Sequence, residues 1–132
     1  MNRNKELDGK VAIVTGSARN IGKALAEELA RAGAAVTINA VDDQKACKEV
    51  AQDIVNSGGM AIPVMADITD QAHVDNLIYQ TTKSFGGVDI LILNAAIRID
   101  TPFLERSFKD WRHAMAVAVD GSFRLSTACV PS

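Results

Sequence analysis

A run of small residues, 15–22 with the sequence TGSARNIG, lies between a predicted strand and a predicted helix. Small side chains there would let backbone N–H groups approach an anion at the positive end of the helix dipole. This arrangement favours the binding of a pyrophosphate. A tight turn between a strand and a helix uses the same residue types, so the run alone leaves both interpretations open.

A second segment could face the same ligand from across a crevice. Asn94-Ala95 comes directly after the apolar run 89–93. In a doubly wound sheet, ligands bind beyond the carboxyl ends of the strands, where the strand order reverses, and Thr15-Gly16 would form the opposite lip. Asn94 could equally hydrogen-bond across the strand ends, since an amide at that position must be satisfied.

Short apolar runs alternate with helical patterns along the chain, and these elements must position the two lips. The predicted strands cover residues 10–14, 35–39, 61–65 and 89–93. A helical pattern follows each of the first three strands and ends at Gly33, Gly58 or Gly86, because glycine takes the left-handed φ that turns the chain back. The alternation predicts an α/β fold, a doubly wound Rossmann-type parallel sheet with right-handed crossovers and strand order 3-2-1-4.

The helical patterns also predict which residues pack on the sheet. The apolar face of the first helix is expected to comprise Ile21, Leu25 and Leu29. After the fourth strand, Ser107-Phe108-Lys109-Asp110 fits a capping box, and a long helix is predicted from Asp110 toward Cys129, ended by Pro131-Ser132. Gly121 within it costs about 1 kcal/mol relative to Ala, so a close backbone approach is expected there.

Composition excludes several classes of protein. The 132 residues are 48% apolar and 23% charged, which is typical of one globular domain. Fourteen Lys and Arg against sixteen Asp and Glu leave no basic excess, so a nucleic-acid partner is not expected. The apolar runs are too short to span a membrane, and residues 1–8 have no apolar signal core behind them. Cys47 and Cys129 form no CxxC and no cluster with His73 or His113, which predicts reduced thiols, a cytoplasmic location and no metal.

Several segments together resemble the short-chain dehydrogenase/reductase family. Residues 15–22 resemble its TGxxxGxG cofactor loop, with Asn20 in place of the middle Gly. Residues 67–68 resemble the acidic segment after the third strand, and residues 93–96 (LNAA) resemble the NNAG motif, with its first Asn and last Gly replaced. Residues 111–123 resemble the long helix that lines the subunit interface. The resemblance covers nearly the whole chain.

The resemblance implies a nicotinamide cofactor site. Asp67 would accept a hydrogen bond from the adenine amino group, although it could instead cap or precede the third helix. Asn20 tolerates left-handed φ, so the loop can keep its path, and Ala96 adds a methyl group near the expected ribose and nicotinamide. The predicted cofactor-binding residues are Gly16, Ser17, Arg19, Asn20, Ile21, Gly22, Asn39, Asp67, Ile68, Asn94, Ala95 and Ala96.

The charges near the second strand favour NADP(H) over NAD(H). Enzymes that select NAD place a carboxylate after that strand, and Ala40 stands at this position. Arg19 could contact a 2′-phosphate, and Asn39 could add a hydrogen bond. Asp42 and Asp43 argue for NAD if they point inward, but they could equally begin the second helix. Arg19 could also be a solvated surface residue.

Catalytic residues of the family are not found in their expected places. Its Ser, Tyr and Lys would lie beyond Ser132, and Ala118, seven residues after Trp111, stands where the family has Asn. Tyr79 and Lys83 have the family's YxxxK spacing but precede the NNAG-like segment, so the match is interpreted as coincidence. Each acid–base group contributes about 10²–10⁴-fold to rate. The chain by itself is therefore predicted to be inactive, and no catalytic residue is assigned.

The chain is interpreted as residues 1–132 of a single Rossmann-type domain, its N-terminal part, with no fifth strand. The apolar strand 90–93 would then have an unpaired edge, which favours association, and a homo-oligomer through the long helix is expected.

Three functions are compatible with these features. The first is an NADP(H)-dependent reductase of ketones or dehydrogenase of secondary alcohols, like the family's 3-oxoacyl thioester reductases and sugar dehydrogenases. The alternative is a non-catalytic, nucleotide-binding or oligomerising remnant of such an enzyme, which Ala118 favours. A doubly wound regulatory domain of another family would require four in-register motifs to be accidental.

Overall fold

A computed structural model describes residues 5–96 and 101–130, and its centre is a parallel sheet. The strands in this part of the chain are β1 (Val11–Val14), β2 (Ala35–Ala40), β3 (Met60–Met65) and β4 (Ile90–Ile92). They lie in the order β3-β2-β1-β4, and every pairing is parallel. The predicted α/β fold and strand order are confirmed, and each predicted strand boundary lies within one residue of the observed one.

The central strand is covered on both faces, which explains its continuous apolar sequence. Ala12 of β1 pairs with Val36 on one side and with Ile90 on the other. All four residues of β1 are buried. A strand that is buried on both faces gains from an apolar residue at every position, not at alternate ones.

Helices cover the sheet on its two faces. They are α1 (Asn20–Arg31), α2 (Gln44–Asn56) and α3 (Gln71–Phe85). The helices α1 and α2 share one core with the sheet, while α3 and the later helix α5 (Gly121–Cys129) share the other. The residues Gly33, Gly58 and Gly86 that follow or end these helices have φ of +105°, +94° and +96°, so the predicted glycine turns are confirmed.

The buried face of α1 differs from the predicted one. Ile21 is 71% exposed, and Leu25 and Leu29 are only half-buried. The face that packs on the sheet consists of Gly22, Ala26 and Ala30. Small residues on that face let the helix lie close to the strands, and the larger side chains are displaced to its flanks.

The last helical region begins at a side-chain cap and contains a π-helical segment. Ser107 precedes α4 (Phe108–Met115), and its Oγ accepts a hydrogen bond from the Asp110 N–H at 3.0 Å. The predicted start is confirmed, although the helix begins two residues before Asp110. A π-helical segment (Ala116–Asp120), which the sequence did not predict, joins α4 to α5. Pro131 and Ser132 lie outside the described residues.

Gly121 lies so close to Ile68 that a side chain at this position would require Ile68 to move. A Cβ atom there would lie 2.7 Å from Cδ1 and 3.3 Å from the main-chain oxygen of Ile68. The expected close approach is confirmed, and its neighbour is the segment after β3. Within residues 5–96 and 101–130, no helix is both long and apolar enough to cross a membrane.

Candidate functional site

The carboxyl ends of the strands open into a cleft of about 740 Å³ at the point where the strand order reverses. Nine of the predicted site residues line it: Gly16, Arg19, Asn20, Ile21, Asn39, Asp67, Asn94, Ala95 and Ala96. Three others, Ser17, Gly22 and Ile68, are buried behind this lining. The structure therefore brings the two predicted lips together at one cleft.

A buried threonine connects the two lips. Oγ1 of Thr15 accepts hydrogen bonds from the N–H groups of Asn94 and Ala95 at 3.0 and 2.9 Å. It donates to the main-chain oxygen of Ile92 at 3.4 Å. Nδ2 of Asn94 then donates to the main-chain oxygen of Gly16 at 3.1 Å. The spacing of the lips is thus set by hydrogen bonds within the protein.

The loop after β1 depends on two left-handed residues and on one missing side chain. Gly16 has φ of +63° and Asn20 has φ of +56°. Asn20, which stands at the position of the family's middle glycine, therefore adopts the left-handed conformation that was expected of it. A Cβ at Gly22 would lie 2.3 Å from the Gly16 oxygen and 2.5 Å from Nδ2 of Asn94. The absence of a side chain at Gly22 therefore lets α1 lie against the loop and the opposite lip.

Ser17 and Asn39 stabilise this loop through hydrogen bonds. Oγ of Ser17 accepts from the Asn39 N–H at 2.9 Å, and Oδ1 of Asn39 accepts from the Gly16 N–H at 3.2 Å. Nδ2 of Asn39 donates to the main-chain oxygens of Val64 and Ala66, both at 3.2 Å. Asn39 is 1% exposed. Its side chain therefore stabilises the loop. The sequence suggested that Asn39 could donate a hydrogen bond to a cofactor, but both N–H donors of its side chain are engaged inside the protein.

Asp67 presents a carboxylate at the end of β3. Oδ1 accepts from Oγ1 and N–H of Thr69 at 2.6 and 2.9 Å, and these bonds lower the pKa of Asp67, with His73 and His113 contributing further. The Asp67 N–H donates to Nδ1 of His73 at 2.9 Å. Asp70 caps α3, so Asp67 does not cap this helix, although it does precede it.

Arg19 forms an ion pair across the cleft wall. Its Nη2 lies 2.5 Å from Oδ2 of Asp43, and both residues line the cleft. Oδ1 of Asp43 accepts from the Ala46 N–H at 3.1 Å and so caps α2. Asp43 therefore both begins the second helix and faces the loop, which the sequence treated as alternatives. The Arg19 side chain is 62% exposed but is held by this contact.

The first turn of α1 has no side-chain cap. Arg19 is its N-cap residue and makes no side-chain cap hydrogen bond, and no acidic residue lies in its first turn. By contrast, Asp43, Asp70 and Ser107 cap α2, α3 and α4. Helix N-termini leave N–H groups that need acceptors, and here Asn20 and Ile21 line the cleft.

Two cleft residues from the long helix were not predicted. His113 of α4 and Val117 of the π-helical segment line the cleft together with Asp67. Their spacing of four residues is a helical signal. A second apolar row, including Trp111 and Met115, has the same spacing and is exposed, so spacing alone could not decide which face meets the cleft. Within the described ranges, no group of three or more His, Cys, Asp and Glu could hold a metal ion.

Comparisons with known proteins identify the family. The family model "short chain dehydrogenase" matches residues 10–132. The chain is 37% identical over 122 residues to a 3-oxoacyl-[acyl-carrier-protein] reductase from Synechocystis sp., covering 92% of this chain and 49% of the relative. It is 35% identical over 118 residues to 3beta-hydroxysteroid dehydrogenase 1 from Eggerthella lenta, covering 89% and 45%. The chain thus spans about half the length of these relatives.

Solved structures agree with this result. A dehydrogenase/reductase from Sinorhizobium meliloti 1021 matches with a TM-score of 0.92 and 34% identity, over 97% of this chain and 51% of that one. A blue fluorescent protein from a metagenomic library, solved in complex with NADPH, matches with a TM-score of 0.89 and 32% identity, over 98% and 53%. The sheet, its cleft and these matches together show that this chain belongs to the short-chain dehydrogenase family of oxidoreductases.

Proposed function

We propose that this chain is the cofactor-binding part of an NADP(H)-dependent oxidoreductase acting on a ketone or secondary alcohol, and that residues 1–132 belong to one Rossmann-type domain. The observation that carries the proposal is the uncapped first turn of α1 in the same cleft as Asp67 and Asn94. The cofactor would supply the hydride chemistry, and the residues described above would bind and orient it.

The phosphate end of the site is the loop between β1 and α1. The N–H groups of Asn20 and Ile21 and the partial positive charge of the helix end favour a pyrophosphate, which needs donors and no side-chain bulk. Gly16 suits this point of the loop because its φ is +63° and because a Cβ there would lie only 3.2 Å from Cα of Ala95 on the opposite lip. Ser17 and Gly22 support this loop from inside the protein.

The adenine end of the site is Asp67. An exocyclic amino group donates hydrogen bonds, so its partner must be an acceptor. The lowered pKa of Asp67 keeps its carboxyl group ionised at neutral pH, and an ionised carboxylate can accept hydrogen bonds but cannot donate them. The bonds from Thr69 are made to Oδ1 and fix the carboxylate plane. Ile68 and Val117 are buried apolar neighbours of this end.

The preference for NADP(H) rests on Arg19 and Ala40. No carboxylate occupies position 40, and Arg19 lines the cleft beside it. A guanidinium group is suited to charge-assisted bonds with a 2′-phosphate. The neighbour solved with NADPH supports the same choice. On the opposite lip, Asn94, Ala95 and Ala96 would lie toward the ribose and nicotinamide.

We assign no proton-transfer group in this chain. Tyr79 is 58% exposed on α3, with Nζ of Lys83 5.9 Å from its ring centre, and neither residue belongs to the cleft lining. Ala118, at the family's Asn position, is exposed and has no group for proton transfer. The alternative of a non-catalytic, nucleotide-binding or oligomerising module is supported by Ala118. A cytoplasmic location stays a prediction.

Calorimetric titration with NADPH tests the cofactor site. We expect binding at one site, weakened by Arg19→Ala and by Asp67→Asn. The control is Arg31→Ala, which removes an exposed arginine paired with Glu28 at the other end of α1. Binding that neither of the cleft variants weakens, or that Arg31→Ala weakens equally, would contradict the proposed site.

A further inference from the structure

Building on the proposed function, we propose that Asp43 is a specificity-determining residue: by holding Arg19 in an ion pair, it lowers the preference of the cleft for a 2′-phosphorylated nucleotide and lets the 2′-hydroxyl form bind as well. The sequence placed Asp43 only as a possible inward-facing or helix-starting residue. The structure shows that it contacts the very cation on which the NADP preference depends.

The position of Asp43 is fixed from the side of α2. Oδ1 accepts the Ala46 N–H at 3.1 Å, and the main-chain oxygen accepts the Cys47 N–H at 3.1 Å. Because one carboxylate oxygen caps the helix, the other is held toward the loop, where it meets Nη2 of Arg19 at 2.5 Å. Arg19 is the longer and more exposed partner, so it is the arginine that is drawn toward α2.

The charges that line the cleft explain why this ion pair affects the binding of a 2′-phosphate. Among the described residues that line it, Arg19 is the one arginine or lysine, while Asp42, Asp43 and Asp67 are carboxylates. A 2′-phosphate would therefore meet a cation whose charge is already balanced by Asp43, and it would also approach that carboxylate. A 2′-hydroxyl meets no such cost, because it can donate a hydrogen bond to a carboxylate. Arg19 keeps further N–H donors, so Asp43 weakens the preference for a 2′-phosphate without removing it.

The test separates the charge of Asp43 from its role as a helix cap. Asp43→Asn and Asp43→Ser both remove the charge, and both residues remain good N-caps. Asp42→Asn is the matched control, because it removes a carboxylate from the same cleft that is not the partner of Arg19 in this pair. Circular dichroism on each variant establishes whether it is folded. If one of the two neutral variants does not fold, the other is used for the measurement.

The affinities to be measured by calorimetry are those for 2′,5′-ADP and 5′-ADP at one ionic strength. Removing the charge at position 43 should raise the ratio of the two affinities about tenfold in favour of 2′,5′-ADP, as expected for a close charge pair, and mainly through 2′,5′-ADP. Asp42→Asn should change the ratio by less than about threefold. In the background of Arg19→Ala, neutralising Asp43 should give a clearly smaller gain, because only the direct repulsion between its carboxylate and the phosphate is then relieved.

Three results would overturn the inference while leaving the proposed cofactor site intact: an unchanged or lowered ratio in both Asp43 variants, an equal rise in Asp42→Asn, or a full gain without Arg19. A lowered ratio would mean that Asp43 orients Arg19 for the phosphate. If the unmodified chain binds neither 5′-ADP nor 2′,5′-ADP, the proposed function fails, and the inference fails with it.

Discussion

Nδ2 of Asn94 donates a hydrogen bond to the main-chain oxygen of Gly16 at 3.1 Å, and this bond joins residues 78 positions apart across the mouth of the cleft. It exists because residue 22 has no side chain, since a Cβ there would lie 2.5 Å from Nδ2. The loop that is proposed to hold phosphate and the lip that is proposed to face the nicotinamide are therefore one packed unit.

Gly22→Ala should disrupt this unit. The added methyl group would overlap the Gly16 oxygen at 2.3 Å, which is a backbone atom that cannot move alone. We expect a loss of about 1–3 kcal/mol in the free energy of unfolding, measured by urea denaturation, together with weakened NADPH binding. Gly87→Ala is the control, because a Cβ at that glycine meets nothing within 4 Å. Equal stability of the two variants would contradict the packing described here.

Thr15→Val tests the hydrogen bonds that connect the lips. Valine has nearly the same shape but leaves the N–H groups of Asn94 and Ala95 without the Oγ1 acceptor. The expected loss is about 1–3 kcal/mol in the free energy of unfolding, the usual cost of an unpaired buried donor. Thr15→Ser keeps the oxygen and should lose much less. A serine variant as unstable as the valine variant would show that packing, not the hydroxyl group, is what matters.

The fold could be predicted from the sequence because its signals are local and repeated. Continuous apolar strands, helical spacing and glycine turns at Gly33, Gly58 and Gly86 each depend on neighbouring residues, and the parallel order follows from their alternation. The face of α1 could not be predicted in the same way. Hydrophobicity favoured Ile21, but the distance between helix and sheet selected small residues, and that distance is a property of the assembled fold.

The cleft could be predicted in outline, while its pairings could not. Asp67 and Asn94 follow strands, so their shared edge is implied by topology. Arg19 and Asp43 are 24 positions apart, and whether they meet depends on side-chain directions that no local pattern encodes. For the same reason the sequence did not reveal that Asn39 directs its amide to β3, or that His113 faces the cleft.

The lowered pKa of Asp67 makes a prediction about acid stability. Because the folded-state pKa lies below the ordinary value of about 3.9, Asp67 stabilises the fold above that pH, and this contribution is lost as the pH falls through the lower pKa of the folded state. Asp67→Asn should therefore flatten the dependence of the unfolding free energy on pH below about pH 4. The measurement is urea denaturation across that range.

Thr69→Val supplies the corresponding control on the cause of the shift. It removes the Oγ1 donor, which is the largest contribution, and keeps the N–H bond to the carboxylate. The pKa of Asp67, followed by NMR of its carboxyl carbon, should rise toward its ordinary value. An unchanged pKa would assign the shift to the backbone bond or to the histidines instead.

The exposed row on the long helix predicts self-association. Its members, spaced four residues apart, are Trp111, Met115, Val119 and Phe123. Exposed apolar patches of this kind mark interaction surfaces, and Phe123 is 70% exposed. We expect light scattering to show a dimer or larger species, and Phe123→Glu to shift it toward the monomer, since burial of a charge without a partner is costly.

Tyr79→Glu is the matched control for this experiment. It places the same charge on an exposed aromatic position, 58% exposed on α3, outside the row. The variant should keep the assembly of the unmodified chain. If Tyr79→Glu dissociates the assembly while Phe123→Glu does not, the contact lies on α3. If the unmodified chain is monomeric at all concentrations tested, the exposed row on the long helix is not an interface of this chain with itself.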